Sequence, residues 1–289
     1  MVSTTMARRP RVGELPPQSY FVVSAVFHYL GPSFAVLLFA RVDVLGVAWL
    51  RIAAAAAIFA AWRRPWRLVR TLDRDGRRLL LGWGVVLALM NVCFYSAIAR
   101  LPLGTVAAIE FLPVIALAAL GARSARNVLA LAVAVGGVYL LTDVRLAGEP
   151  LGVALAFANA VLFVLYIVLA DRVAKLPAIG GIDGLAAAML VALVVVTPMG
   201  GWNAAPALLD PVALLAGIGV GISSSVIPYV TDQLAMARLP RATYALMIAL
   251  LPAIATVIGV VVLAQIPAPV EVAGVALVIA GVAAHRQPA

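Results

Sequence analysis

Ten apolar runs follow one another through this chain of 289 residues, near 19–39, 44–61, 79–99, 103–121, 128–142, 151–170, 183–200, 212–236, 241–264 and 268–284. A helix that crosses a bilayer takes about 20 apolar residues. In hydrocarbon every backbone N–H and C=O must find its partner inside the span, which leaves α-helices as the only solution for runs of this kind. Composition agrees: 65% of residues are hydrophobic and 11% charged, against about 25% charged in a soluble domain. Spans of about 20 residues consume most of the chain and leave no soluble domain. The expected fold is an all-α membrane protein of ten transmembrane helices.

Several function classes drop out at once. No segment reads G-x-x-x-x-G-K-[ST], so no phosphate-cradling loop points to ATP-driven pumping. The single cysteine, Cys93, makes neither an internal disulfide nor a thiolate metal site. Of the two histidines, His28 lies in the first span and His285 in the tail, too far apart along the bundle to clamp a haem. The one lysine, Lys175, falls in a connection, which removes a retinal Schiff base. No cofactor and no resident metal are expected. Aspartate-rich metal motifs of membrane-embedded lipid enzymes are missing, since Asp73 and Asp75 sit among arginines, so an enzyme is not expected.

The net charge of +9 matters through its placement. The N-terminus, the 62–78 loop, 122–127, 171–182, 237–241 and the tail hold 17 of the 21 Lys and Arg. The opposite connections hold only Arg41, Arg100 and Arg145, and Arg51 lies within a span. The positive-inside rule then puts both termini in the cytoplasm. Nucleic acid is not an expected partner. The arginine-rich run 63–78 reads as a topology signal, with contact to anionic lipid as the second reading.

Residues 99–105 read ARLPLGT and residues 237–243 read ARLPRAT, each in a turn ahead of an apolar run with an internal proline, Pro113 or Pro252. Five spans per half is an odd number, so the second half enters the membrane from the opposite side. The expected organisation is a cytoplasmic segment 1–18, a five-helix repeat 19–142, an inverted five-helix repeat 151–284 and a cytoplasmic tail 285–289. Inverted repeats with a binding site near the midplane are the hallmark of many secondary transporters.

The polar residues within the spans point the same way. At about 1.5 Å rise per residue, Glu110 and Asn91 lie at matching depths on either side of the Pro102 turn. His28 and Arg51 fall near the same level. Ionised residues at this depth usually face a cavity or a partner. Glu110 is expected to carry protons or to hold a substrate ammonium group; against this stands a structural ion pair with Arg51. Arg51 could instead grip a carboxylate through its fork of donors. Asn91 and Tyr95, four apart, line a pathway or bridge helices. Ser225, Tyr229 and Asp232 form one stripe on the eighth span, a candidate gate or pathway.

Three stretches carry a family resemblance: WLRIA at 49–53, MNVCFYSAIARLPLGTVAAIEF at 90–111 and IPYVTDQLAMARLPRATYALMIALLPA at 227–253. They resemble the EamA family of the drug/metabolite transporter superfamily, and within it the threonine/homoserine exporter group of bacterial inner membranes. The resemblance spans about residues 20 to 284. It implies a multi-pass inner-membrane exporter of small metabolites, amino acids first, driven by protons or by the substrate gradient and surrounded by lipid. It places Asn91, Tyr95, Glu110 and Phe111 at the pocket, Arg51 in a familiar position, and Tyr229 and Asp232 on the opposite half. An exporter of hydrophobic or cationic drugs is the alternative.

Overall fold

The computed structural model describes residues 16–121, 124–146, 148–174, 176, 179, 181–236, 238 and 250–284. The N-terminal residues 1–15, most of the second copy of the repeated turn and the tail with His285 lie outside the described residues. Among the described residues every regular element is a helix: α1 (Pro17–Leu38), α2 (Val44–Arg63), α3 (Trp66–Thr71), α4 (Arg74–Ile98), α5 (Leu103–Gly121), α6 (Ala125–Leu146), α7 (Pro150–Ala174), α8 (Gly181–Val196), α9 (Trp202–Leu209), α10 (Pro211–Gly221), α11 (Ile227–Met236), α12 (Leu251–Leu263) and α13 (Pro269–Ala284).

Six helical rods are long and apolar enough to cross a membrane: Gln18–Leu38, Val44–Arg63, Arg74–Ile98, Pro150–Val173, Gly181–Leu209 and Pro211–Asp232. Four further apolar stretches are shorter: Leu103–Pro113, Ala125–Leu141, Leu251–Leu263 and Pro269–Ala284. The helix over the fifth expected span, Ala125–Leu146, runs beyond 128–142 at both ends. Polar residues set the rod ends. Asp43 accepts the Leu45 N–H, Asp73 the Gly76 N–H and Asp210 the Val212 N–H, each taking a backbone donor that a helix start leaves without a partner. At the other pole, Arg126 Nε donates to the Ala284 carbonyl at 2.7 Å, where a cation suits the end of α13.

Two of the rods are widened within their length. A π turn, Thr197–Gly201, joins α8 to α9, and a second, Ile222–Val226, joins α10 to α11. The first contains Pro198, and Pro228 closely follows the second. Proline has no N–H to return to the preceding turn, and the extra residue of a π turn absorbs the misfit. The in-span prolines at these two positions therefore mark a change of helical pitch.

The rods pack in a recurring pattern. α4 lies along α7 and α8, while α11 lies along α1 and α10 along α2. α5 packs on α7, and α12 packs on α1; α2 meets α8, α5 meets α12, and α6 meets α13. The α6–α13 contact brings backbones together: a Cβ on Gly137 would sit 2.6 Å from the Gly274 carbonyl oxygen, and one on Gly274 2.9 Å from the Gly137 oxygen. Small residues allow this approach where no hydrophobic force drives helices together. Gly136, its neighbour, faces open space. Gly137→Ala is therefore expected to lower stability by about 1–3 kcal/mol through overpacking, and Gly136→Ala to be tolerated. Thermal unfolding of the detergent-purified protein checks both.

A candidate substrate site between the two halves of the chain

The site begins with an irregularity in the backbone. In a regular helix the Ser224 carbonyl would accept the N–H of residue 228, which is proline. Arg51, from α2, supplies the missing donor: Nη2 donates to the Ser224 oxygen at 3.0 Å and Nε to Ser225 Oγ at 2.9 Å. The guanidinium also rests over the Tyr95 ring, 5.2 Å from its centroid. A buried cation is thus held by a carbonyl dipole, a hydroxyl and an aromatic face. On the other side α1 seals the bulge, with Ser24 Oγ donating to the Pro228 carbonyl at 3.1 Å. Gly31 lies so close that a Cβ there would collide with Ser224.

Beside this junction a cavity is lined by residues from both halves of the chain. Its polar rim is His28, Arg51, Asn91, Glu110 and Asn159; Phe94, Phe163, Tyr166 and Tyr229 supply an aromatic wall. Glu110 is 4% exposed, and its Oε1 accepts from Asn159 Nδ2 at 3.0 Å. The aromatic wall is continuous. Phe111 meets Phe163 edge-on, Phe163 stacks on Tyr166 at 6.4 Å, and Tyr166 stacks on Tyr229 at 6.5 Å.

Of the residues singled out in the sequence, the fold brings His28, Arg51, Asn91, Glu110 and Tyr229 to this one cavity. Tyr95, Ser225 and Phe111 stand behind the wall: Tyr95 under the guanidinium, Ser225 as its acceptor, Phe111 against Phe163. Asp232 is half-buried on α11 and is not among the lining residues. Arg51 and Glu110 line the same cavity without forming an ion pair; their protein partners are the bulge and Asn159. Sequence reading passed over Asn159, Phe163 and Tyr166, all on α7. The signal was present for Asn159, the one amide in a long apolar run, FANAVLF.

A bundle of apolar helices with a polar cavity shared by both halves of the chain is the architecture of a secondary transporter. A family model described as the EamA-like transporter family matches residues 150–285. The threonine/homoserine exporter RhtA of Escherichia coli strain K12 is 31% identical over 256 residues, covering 86% of this chain and 84% of the relative. The protein of the same name from Salmonella typhimurium strain SL1344 is 30% identical over the same shares. A solved crystal structure superposes with a TM-score of 0.58 at 21% identity, covering 93% of this chain and 98% of that one, and agrees in fold. This chain belongs to the EamA-like transporter family, a multi-pass membrane transporter and not an enzyme.

The bond between Arg51 and the bulge sets up a double test. Arg51→Leu strips the Ser224 carbonyl of its donor and is expected to cost about 1–3 kcal/mol. Pro228→Ala returns an N–H to that turn, so in the double variant the loss should be partly recovered. Non-additive unfolding midpoints across the four proteins would register the coupling.

Proposed function

We propose that this chain exports small amino acids of the threonine/homoserine kind across the inner membrane, by alternating access of two inverted halves around the cavity at Glu110. The observation that carries the reading is the pair of opposite charges on one cavity with no ion pair between them. Among the described residues Arg51 Nη1 makes no bond, whereas its Nε and Nη2 are committed to the bulge. A zwitterion needs a cation for its carboxylate and an acceptor for its ammonium, and Arg51 and Glu110 supply one of each. The relatives' names point to the same substrate class.

The helix pairing supports the two-repeat organisation, residues 19–142 and 151–284. In chain order, with the short α3 set aside, α8–α9 taken as one rod and α10–α11 as one, α12 is the ninth. Exchanging the first five for the last five maps α4–α7 onto α11–α1, α4–α8 onto α10–α2, and α5–α7 onto α12–α1. The pairs α2–α8, α5–α12 and α6–α13 map onto themselves. This is the pattern expected of two like halves related by a two-fold axis. With the arginine bias, the reading sets both termini in the cytoplasm.

Glu110 is assigned the coupling role: its carboxyl alternates between proton and substrate as access changes sides. A drug exporter would use the same carboxylate with the aromatic wall, and the substrate panel separates the two. Proteoliposomes preloaded with labelled threonine or homoserine should show saturable efflux that quickens under an imposed pH gradient. Glu110→Gln, which cannot exchange a proton, should lose that acceleration. Absence of amino-acid efflux from folded wild-type protein would sink the amino-acid assignment and favour cationic drugs.

A further inference from the structure

Two buried amides on the cavity wall lack half of their hydrogen bonds. Asn91 is 2% exposed and Asn159 0%. Each commits its amide N–H to one fixed acceptor: Asn91 Nδ2 to the Leu87 carbonyl at 2.8 Å, Asn159 Nδ2 to Glu110 Oε1 at 3.0 Å. Only the nitrogen of a side-chain amide donates, so these bonds decide which way each amide faces. Both Oδ1 atoms are left buried with no partner among the described residues. Buried polar groups are nearly always satisfied, and two orphaned acceptors in one cavity with one carboxylate call for a donor from outside the protein.

We propose that Glu110, Asn91 Oδ1 and Asn159 Oδ1 form a three-acceptor seat for a primary ammonium group, with Asn159 as the residue that selects it. The proposal rests on the cavity being the substrate site and adds the chemistry of its cationic half. A primary ammonium carries three N–H donors, one for each acceptor. A quaternary ammonium carries none; it would leave both amide oxygens unsatisfied and turn to the faces of Phe163, Tyr166 and Tyr229. A divalent metal is the wrong occupant, because a single carboxylate is present and no cluster of three His, Cys, Asp or Glu occurs among the described residues. An alkali ion shares the liking for oxygen but not the count of directed donors. Asn159 has a second function: its N–H orients the carboxylate while its carbonyl completes the seat, so one side chain both positions and binds.

The test needs two arms. In the first, unfolding midpoints of purified wild-type protein are followed against methylammonium, tetramethylammonium and sodium chlorides at matched ionic strength. Methylammonium should raise the midpoint, tetramethylammonium and sodium should not, and Asn159→Leu and Asn91→Leu should each lose the response. Equal stabilisation by tetramethylammonium, stabilisation by sodium alone, or no response to any of the three overturns the seat. In the second arm, homoserine and its N,N,N-trimethyl derivative compete for efflux of labelled homoserine. Trimethylation should weaken competition at least about tenfold, or about 1.4 kcal/mol. If homoserine is not exported while methylammonium alone still stabilises, the seat stands and the export reading falls. If homoserine is exported and the trimethyl compound competes equally, the export reading stands and the seat falls.

Discussion

The bond between Arg51 and the Ser224 carbonyl ties the molecule together. Pro228 brings no N–H to the turn in which that carbonyl lies, and an arginine buried within a membrane-spanning rod is costly unless it finds acceptors. Each defect is the remedy for the other. The guanidinium meets the freed carbonyl and the Ser225 hydroxyl, and Tyr95 covers its face. Four rods meet at this point: α2 brings Arg51, α4 brings Tyr95, α10–α11 brings the bulge, and α1 closes over it through Gly31 and Ser24. With Nε and Nη2 of the guanidinium spent in this way, Glu110 on the same cavity keeps a neutral amide as its protein partner.

Much of the bundle could be read directly from the chain, because hydropathy over some 20 residues reports burial in lipid without reference to any neighbour. Constant rise per residue puts His28, Arg51, Asn91 and Glu110 at one level along their helices, and all four line one cavity. What escaped was pairing. Arg51's acceptor is a backbone carbonyl 173 residues away, freed by a proline that reads in sequence only as a kink. Glu110's partner is Asn159, 49 residues on, a lone amide with no spacing to announce it. The two π turns were equally invisible, since Thr197–Gly201 and Ile222–Val226 interrupt neither the apolar run nor its periodicity.

The site divides its labour by helix. The first half contributes His28, Arg51 and Glu110, together with Asn91 and Phe94. The second half contributes the amide of Asn159 and three of the four rings of the aromatic wall, Phe163, Tyr166 and Tyr229. A cavity built this way is electrically defined from one side and shaped from the other. Changes at Phe163, Tyr166 and Tyr229 can thereby alter the fit of a ligand without removing a hydrogen bond of Arg51 or Glu110.

One seam runs nearly the full length of α2. Near its start Asn203 Nδ2 bonds Asp43 at 2.9 Å; within the rod Trp49 Nε1 donates to Thr197 at 2.9 Å; at its end Arg63 meets Asp183 at 2.6 Å. All three partners belong to the single rod formed by α8 and α9. Three fastenings in line fix the register of α2 on this rod along the length of their contact. Under the alternating access proposed above, the other rods would move past a pair whose own register is set.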